Sequence, residues 1–227
     1  MNKEIFIPKA VIFDLDNTLY SYDECHSFAI TSLSKEFKSR FNISDKEFYK
    51  SYKASKNKIN NQLFNTASSH NKLLYLTLML QEIGLGSETS LSLSLENIYW
   101  RSFFQKMKPF NDLEDLLLEL RAKKAKLGLL TDMLAHIQYR KINYLGLNNY
   151  FDLIVTSEII GQEKPSKKCF DYLFSYLKIK PEDCWYIGDN AKKDISSAKE
   201  YGLGLVIQKI HNRVEKGSPD IFIKSFK

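Results

Sequence analysis

The stretch AVIFDLDNTLY, residues 10–20, places two carboxylates directly after a run of apolar residues. The run is continuous rather than alternating, which is typical of a strand that is buried on both faces of a parallel sheet. Asp14 and Asp16 then follow with one leucine between them. Like charges this close raise each other's pKa unless a positive charge intervenes. The pair is therefore either solvated at a strand end or arranged to hold a cation.

More strands of this kind are predicted further along the chain. Four apolar runs and a weaker fifth follow, at residues 126–132, 152–157, 184–189, 202–208 and 220–226. Helical patterns separate them. Asn111 is a predicted N-cap with Glu114 completing a capping box, Pro165 suits a first helical turn, and Gly202 is a natural helix terminator. Alternating strands and helices predict an α/β fold, a doubly wound parallel sheet with helices on both faces.

Residues 20–108 break this alternation. They contain no convincing strand and predict helices near 24–40, 45–58, 71–83 and 91–106. The Leu/Ser alternation of residues 91–95 is the one place that imitates a strand. We therefore predict a smaller helical domain at 20–108, inserted into a core of residues 1–19 and 109–227.

Composition excludes several classes of protein. The chain has 227 residues, 44% of them hydrophobic, which is enough for a sizeable core. A net charge of +6 from scattered lysines is too small to indicate nucleic-acid binding. Three cysteines form no metal motif and predict buried thiols in a reducing compartment. With no signal peptide and no apolar run near the roughly 20 residues of a membrane span, we expect a cytoplasmic protein.

The predicted strand ends carry the residues that could bind a ligand or take part in a reaction. Ligands of open parallel sheets bind beyond the carboxyl ends of the strands. Four successive predicted strands deliver reactive side chains to that edge, namely Asp14, Asp16 and Thr18, then Thr131 and Asp132, then Lys164, then Asp189 and Asp194. This coincidence predicts a ligand site more strongly than any one of the motifs does.

This set of residues suits phosphoryl transfer. Carboxylates of Asp14 and Asp189 would bind a hard cation such as Mg²⁺, while a lysine and a threonine hydroxyl would hold an anion. Asp14 could attack phosphorus as a covalent nucleophile. Asp16 could protonate the leaving oxygen and then deprotonate the water that hydrolyses the aspartyl-phosphate.

Taken together, DLDNT, LLTD, EKPS and GDNAKKD, in this order and on these strands, resemble the haloacid dehalogenase-like hydrolase superfamily. The resemblance spans residues 11–194 and implies a Rossmann-like core with a magnesium-dependent phosphatase activity. It implies Asp14 as nucleophile, Asp16 as acid and base, and phosphate binding by Thr131, the backbone of Asp132, and Lys164. Magnesium would be bound by the side chains of Asp14 and Asp189 and the backbone carbonyl of Asp16, with Asp194 supporting that site.

The resemblance also narrows the reaction. Members that remove halide lack the second aspartate of the DxD motif, and those that cleave phosphonates have a small residue there. Asp16 therefore favours phosphate esters. The helical insert directly after the first motif is similar to a cap that closes over the site, which favours a small phosphorylated substrate such as a sugar phosphate or a nucleoside monophosphate.

Asp132 departs from the pattern, since many relatives have asparagine or glycine after the Ser/Thr of the second motif. We expect its backbone N–H to face the phosphate and its side chain to turn away or to cap the following helix. Two alternatives stay open, a phosphomutase using the same aspartyl-phosphate and a non-catalytic phosphate-binding protein. The physiological substrate and the oligomeric state are not predicted.

Overall fold

The computed structural model describes residues 6–211 and 215–226. Its sheet has six parallel strands in the order β3-β2-β1-β4-β5-β6. The strands are β1 Ala10–Phe13, β2 Lys126–Thr131, β3 Leu153–Thr156, β4 Cys184–Gly188, β5 Leu205–Lys209 and β6 Ile221–Ile223. The predicted α/β class and parallel sheet are confirmed, including the weak sixth strand.

Strand order places β1 inside the sheet, between β2 and β4. Phe13, the last residue of β1, pairs with Leu129 of β2 on one side and with Ile187 of β4 on the other. From β1 the sheet is built outward in both directions, so the order of connection reverses between β1 and β4. In open α/β sheets this reversal leaves a crevice at the carboxyl ends of the strands, where ligands bind.

Helices account for most of the remaining chain. They are α1 Tyr22–Phe41, α2 Asp45–Gln62, α3 Lys72–Glu82, α4 Thr89–Lys106, α5 Leu113–Ala122, α6 Ala135–Tyr144, α7 Ser157–Ile160, α8 Lys167–Leu177 and α9 Ser197–Tyr201. A π-helical turn, Ala191–Ser196, leads into α9, which ends at Gly202. Gly202 has φ 93°, the left-handed conformation that a helix-terminating glycine adopts readily, as predicted.

One apolar face of the sheet packs against α8. Phe170, Leu173 and Leu177 recur at helical spacing on α8 and are buried against Ile12 of β1 and Tyr186 of β4. Burial of each such side chain stabilises the fold by roughly 1.5–3 kcal/mol. This packing holds the central strands in place and so fixes the position of the residues at their carboxyl ends.

The residues divide into two compact units. One comprises Tyr22–Met107, and the other comprises the described residues on either side of that segment. The Tyr22–Met107 unit contains α1 to α4, and its core includes the buried aromatic side chains of Phe37, Phe48, Tyr75 and Phe103. Its helix α2 begins with a capping box between Ser44 and Glu47. Residues 1–5, 212–214 and 227, which the sequence assigns to the core domain, lie outside the described residues.

The structure corrects two predicted helix starts. The backbone N–H of Phe110 donates to the carbonyl of Leu19 at 2.9 Å, and the chain then turns through Asp112 at φ 65°. Helix α5 therefore starts at Leu113 rather than after Asn111, and no capping box forms there.

Helix α8 is the second correction, because it starts at Lys167 and leaves Pro165 outside the first turn. The backbone N–H of Ser166 donates to the carbonyl of Glu163 at 3.0 Å, so the preceding segment forms a turn.

The Leu/Ser alternation of residues 91–95 is helical and lies within α4. In the described part of the chain, no helix combines the length and the apolar character needed to cross a membrane.

Candidate active site

Asp14 is the first residue after β1 and is almost fully buried, with 6% of its surface exposed. Its backbone N–H donates to the carbonyl of Ile187 (2.9 Å), which extends the pairing of β1 with β4. Its carboxylate accepts hydrogen bonds from the Thr18 hydroxyl (3.0 Å) and the Lys164 ammonium (2.7 Å). Burial raises the pKa of Asp14 to about 7, although the charge of Lys164 opposes this rise.

Lys164 links two of the predicted aspartates. Its buried ammonium group lies 2.7 Å from the carboxylate of Asp14 and 2.6 Å from that of Asp194. It also donates to the carbonyl of Leu130 (3.2 Å) and the hydroxyl of Tyr186 (3.3 Å). Burial lowers the pKa of Lys164, but the two carboxylates outweigh burial and raise it well above its ordinary value. Lys164 is therefore a cation at every physiological pH.

Asp189 completes a cluster of carboxylates at the same edge. One oxygen each of Asp14, Asp189 and Asp194 lies within 4.8 Å of the others. Burial, together with the charges of Asp14 and Asp194, raises the pKa of Asp189 to about 9. Asp194 lies close to Gly188 at the end of β4. A Cβ atom added at Gly188 would lie only 2.6 Å from the Cβ of Asp194, so the approach requires glycine. The backbone N–H of Asn190 donates to Asp194 at 3.0 Å.

The donor chemistry of this cluster fits a magnesium ion. Converging oxygen ligands are the set that Mg²⁺ prefers, and a divalent charge would offset the repulsion among the three carboxylates. Asp14 and Asp189 would bind it through their side chains, and Asp16 through its backbone carbonyl. Both carboxylate oxygens of Asp194 already accept hydrogen bonds, which suits a supporting role beside the ion.

Thr131 and Asp132 lie at the end of β2, next to Asp14. The Thr131 hydroxyl accepts a hydrogen bond from the Gln138 side chain at 2.6 Å. The Asp132 carboxylate accepts from the backbone N–H of Lys164 (3.0 Å) and pairs with the ammonium of Lys193 (2.8 Å). Asp132 thus holds the loop that carries Lys164, and its side chain does not cap the helix that follows.

Lys193 explains how the site accommodates an aspartate at position 132, where many relatives have asparagine or glycine. Its ammonium also lies 3.0 Å from the carboxylate of Glu163, so it bridges segments that follow β2, β3 and β4. Burial lowers the pKa of Lys193, while the charges of Asp132 and Glu163 raise it, with a net rise. Aspartate carries a negative charge that asparagine would lack, and Lys193 neutralises this charge within the site.

Asp16 is held by three side chains. Lys141 of α6 contacts both carboxylate oxygens, at 2.8 and 2.9 Å. The hydroxyl of Tyr20 donates to the same carboxylate, and Gln138 of α6 donates to it at 3.3 Å. About a quarter of the Asp16 side chain is exposed, whereas the Lys141 side chain is fully buried.

The structure brings the predicted residues together in two connected groups. Lys164 joins Asp14 to Asp194 beside Asp189, and Gln138 joins Asp16 to Thr131. Sequence reasoning missed Lys141, Gln138 and Lys193. Gln138 and Lys141 are three residues apart and so share one face of α6, a spacing that could have indicated a paired role. Lys193 lies inside the GDNAKKD motif but could not be matched to Asp132 by spacing alone.

The pKa values of Asp14 and Asp189 predict how stability depends on pH without metal. Both values, about 7 and about 9, exceed the ordinary 3.8, so the folded protein retains protons that the unfolded chain has released. Stability should therefore fall as pH rises from roughly 4 to 9. Asparagine is neutral without taking up a proton, so we expect Asp189→Asn to raise the melting temperature at pH 8 in chelator. A gain of about 1 kcal/mol would raise it by about 2–4 °C in a chain of this length.

Thermal unfolding of both proteins at pH 5 and pH 8 would check this. At pH 5 the difference between them should shrink, because the pH is then close to the ordinary pKa of 3.8 and the proton that folded Asp189 retains costs little relative to the unfolded chain. Equal melting temperatures of the two proteins at pH 8 would contradict the raised pKa of Asp189 that burial and the charges of Asp14 and Asp194 produce.

Several known proteins are similar to this chain. The ribulose-1,5-bisphosphate 5-phosphatase of Halopiger xanaduensis is 32% identical over 200 residues, covering 87% of this chain and 83% of its own length. The glyceraldehyde 3-phosphate phosphatase of Methanopyrus kandleri is 33% identical over 199 residues, covering 86% and 81%. A hydrolase from Bacillus subtilis, solved with magnesium bound, shares the fold with a TM-score of 0.72, 22% identity and coverage of 96% and 95%.

A model of a whole protein family also matches this chain. The model for haloacid dehalogenase-like hydrolases matches residues 11–207, from β1 into β5. All four sequence motifs of the predicted resemblance fall inside this match. The resemblance is therefore confirmed, and the chain belongs to the haloacid dehalogenase-like hydrolase family.

Proposed function

We propose that the protein is a magnesium-dependent phosphatase that hydrolyses small sugar phosphates through an aspartyl-phosphate on Asp14. The observation that carries the proposal is the buried contact of Lys164 with Asp14, beside the carboxylates of Asp189 and Asp194. A nucleophilic carboxylate next to a fixed cation and a candidate divalent-metal site is suited to phosphoryl transfer.

The first chemical step forms the aspartyl-phosphate. The Asp14 carboxylate attacks phosphorus, the bond from phosphorus to the ester oxygen breaks, and Asp16 gives its proton to the departing alkoxide. Lys164 and the Thr131 hydroxyl hold the phosphoryl oxygens during this transfer. A magnesium ion, when bound, supplies positive charge that offsets the repulsion between the phosphate dianion and the carboxylates.

The second step releases phosphate. Asp16, now a carboxylate, takes a proton from a water molecule as the water oxygen attacks phosphorus. The bond from phosphorus to Asp14 breaks, and inorganic phosphate leaves. The alcohol from the first step and the phosphate together account for all atoms of substrate and water, and Asp14 and Asp16 return to their initial states.

Relatives support the choice of substrate. The two similar enzymes described above act, by name, on phosphorylated ribulose and on glyceraldehyde 3-phosphate, which are short sugar phosphates. We therefore propose sugar phosphates ahead of nucleoside monophosphates. The assignment of residues 20–108 as a cap that selects the substrate stays a prediction.

Phosphate release from a panel of sugar phosphates, nucleotides and aryl phosphates tests this proposal. We expect release with magnesium, fastest from sugar phosphates, and its loss in excess chelator, with recovery when magnesium is restored. The reason is that Asp14 must approach a dianion of like charge. Release that persists in chelator would contradict the metal site. Isomerisation of a sugar phosphate without release would instead indicate the phosphomutase.

A further inference from the structure

Helix α6 supplies two polar side chains that the reaction scheme leaves without a role. Gln138 and Lys141 are both fully buried. Burying a lysine is costly unless it is paired, and an apolar residue of similar size would pack at lower cost. The ammonium of Lys141 is instead directed at both oxygens of Asp16, at 2.8 and 2.9 Å. This geometry points to a role for Lys141 that acts through Asp16.

Gln138 connects the same carboxylate to the end of β2. Its side-chain amide lies 3.3 Å from Asp16, 2.6 Å from the Thr131 hydroxyl and 2.7 Å from the Asp132 carbonyl. The proposed proton donor and the proposed phosphate-binding hydroxyl are therefore fixed relative to each other by one side chain. A rigid helix places such groups more accurately than a loop does.

We infer that Lys141, assisted by Gln138, is a positioning residue that holds the carboxyl group of Asp16 in place for proton transfer to the leaving oxygen. The inference rests on the proposed phosphatase function. It is compatible with both steps of that reaction, because a protonated carboxyl group keeps an acceptor oxygen. Lys141 can therefore hold Asp16 both before and after its proton has been given away.

The test compares two leaving groups in wild type and Lys141→Met. An alkyl phosphate needs a proton on its departing oxygen, whereas p-nitrophenyl phosphate releases a stable phenolate. With saturating magnesium, we expect kcat/KM for the alkyl phosphate to fall about 10- to 100-fold, part of the 10²–10⁴-fold that a positioned proton donor contributes. For p-nitrophenyl phosphate we expect a change of less than about threefold, since no proton donor is needed.

Controls separate positioning from general damage. Lys209→Met removes another buried lysine, whose ammonium donates to the carbonyl of Lys224 at 2.6 Å, and should leave the ratio of the two substrates unchanged. Lys141→Arg keeps a cation beside Asp16 and should restore part of the alkyl phosphate activity. If Lys141→Met does not fold, Gln138→Met should shift the ratio in the same direction by a smaller factor.

The outcomes distinguish the inference from the function on which it rests. Equal losses on both substrates, or no loss on either, in folded Lys141→Met would overturn the positioning role while the phosphatase assignment stands. Absence of phosphate release by folded wild type from every phosphate ester would overturn the proposed function itself.

Discussion

Asp14→Asn should lower kcat/KM for phosphate release by at least about 10³-fold, which is the scale of loss when a covalent nucleophile is removed from a catalytic unit. An amide is a poor nucleophile and cannot form the aspartyl-phosphate. The fold should survive, because asparagine has the same shape and can still accept a hydrogen bond from Lys164. Removing one of three neighbouring carboxylates also relieves repulsion with Asp189 and Asp194.

Phosphate release and thermal unfolding should be measured on the same preparations of Asp14→Asn and wild type. A matched control is Asp115→Asn, which changes an exposed aspartate in the first turn of α5 and should keep full activity. If Asp14→Asn turned over substrate within tenfold of wild type, Asp14 would not be the nucleophile. A large loss of activity accompanied by unfolding would also contradict the expectation, since the charge change predicts equal or greater stability.

The sheet could be predicted because its signal is local. A run such as Ala10–Phe13 is apolar at every position, a pattern that is typical of a short strand covered on both faces. The positions of Asp14, Asp189 and Lys164 then follow from a general property of parallel sheets, which present their carboxyl ends on one edge. For these residues, knowledge of the strands was nearly sufficient to place the side chains.

Helix starts were harder to predict because distant contacts decide them. Asn111 and Glu114 have the spacing of a capping box, but Phe110 is bonded to Leu19 from another part of the chain. That contact forces a turn at Asp112 and moves the start of α5. A local residue pattern indicates where a helix would start in an isolated segment. Here the tertiary hydrogen bond decides where α5 starts.

The partners of Asp16 and Asp132 could not be read from the sequence for a related reason. Lys141 and Lys193 are separated from these aspartates by 125 and 61 residues. A lysine is usually a solvated surface residue, so its type alone gives no reason to expect burial. Only the packing of α6 against the strand ends, and of the Ala191–Ser196 turn near Asp132, identifies these two lysines as parts of the site.

Lys164→Met should destabilise the metal-free protein by about 3–5 kcal/mol, the effect of removing one partner from a buried ion pair. Both Asp14 and Asp194 would lose their ammonium partner, at 2.7 and 2.6 Å respectively, in a site that water barely reaches. Activity should also fall at least about 10²-fold, since Lys164 is proposed to stabilise charge on the transferring phosphoryl group.

Magnesium provides the decisive comparison for this variant. A bound divalent cation would compensate part of the charge that Lys164 no longer neutralises, so the unfolding free energy of Lys164→Met should rise more on adding magnesium than that of wild type. Urea unfolding with chelator and with magnesium measures both. Lys9→Met removes an exposed ammonium that pairs with Asp183 at 2.7 Å and should change neither stability nor its response to magnesium. Lys164→Met with wild-type stability in chelator would mean that Lys164 does not offset the burial of the two carboxyl groups, which would remove the electrostatic basis for its role at this edge of the sheet.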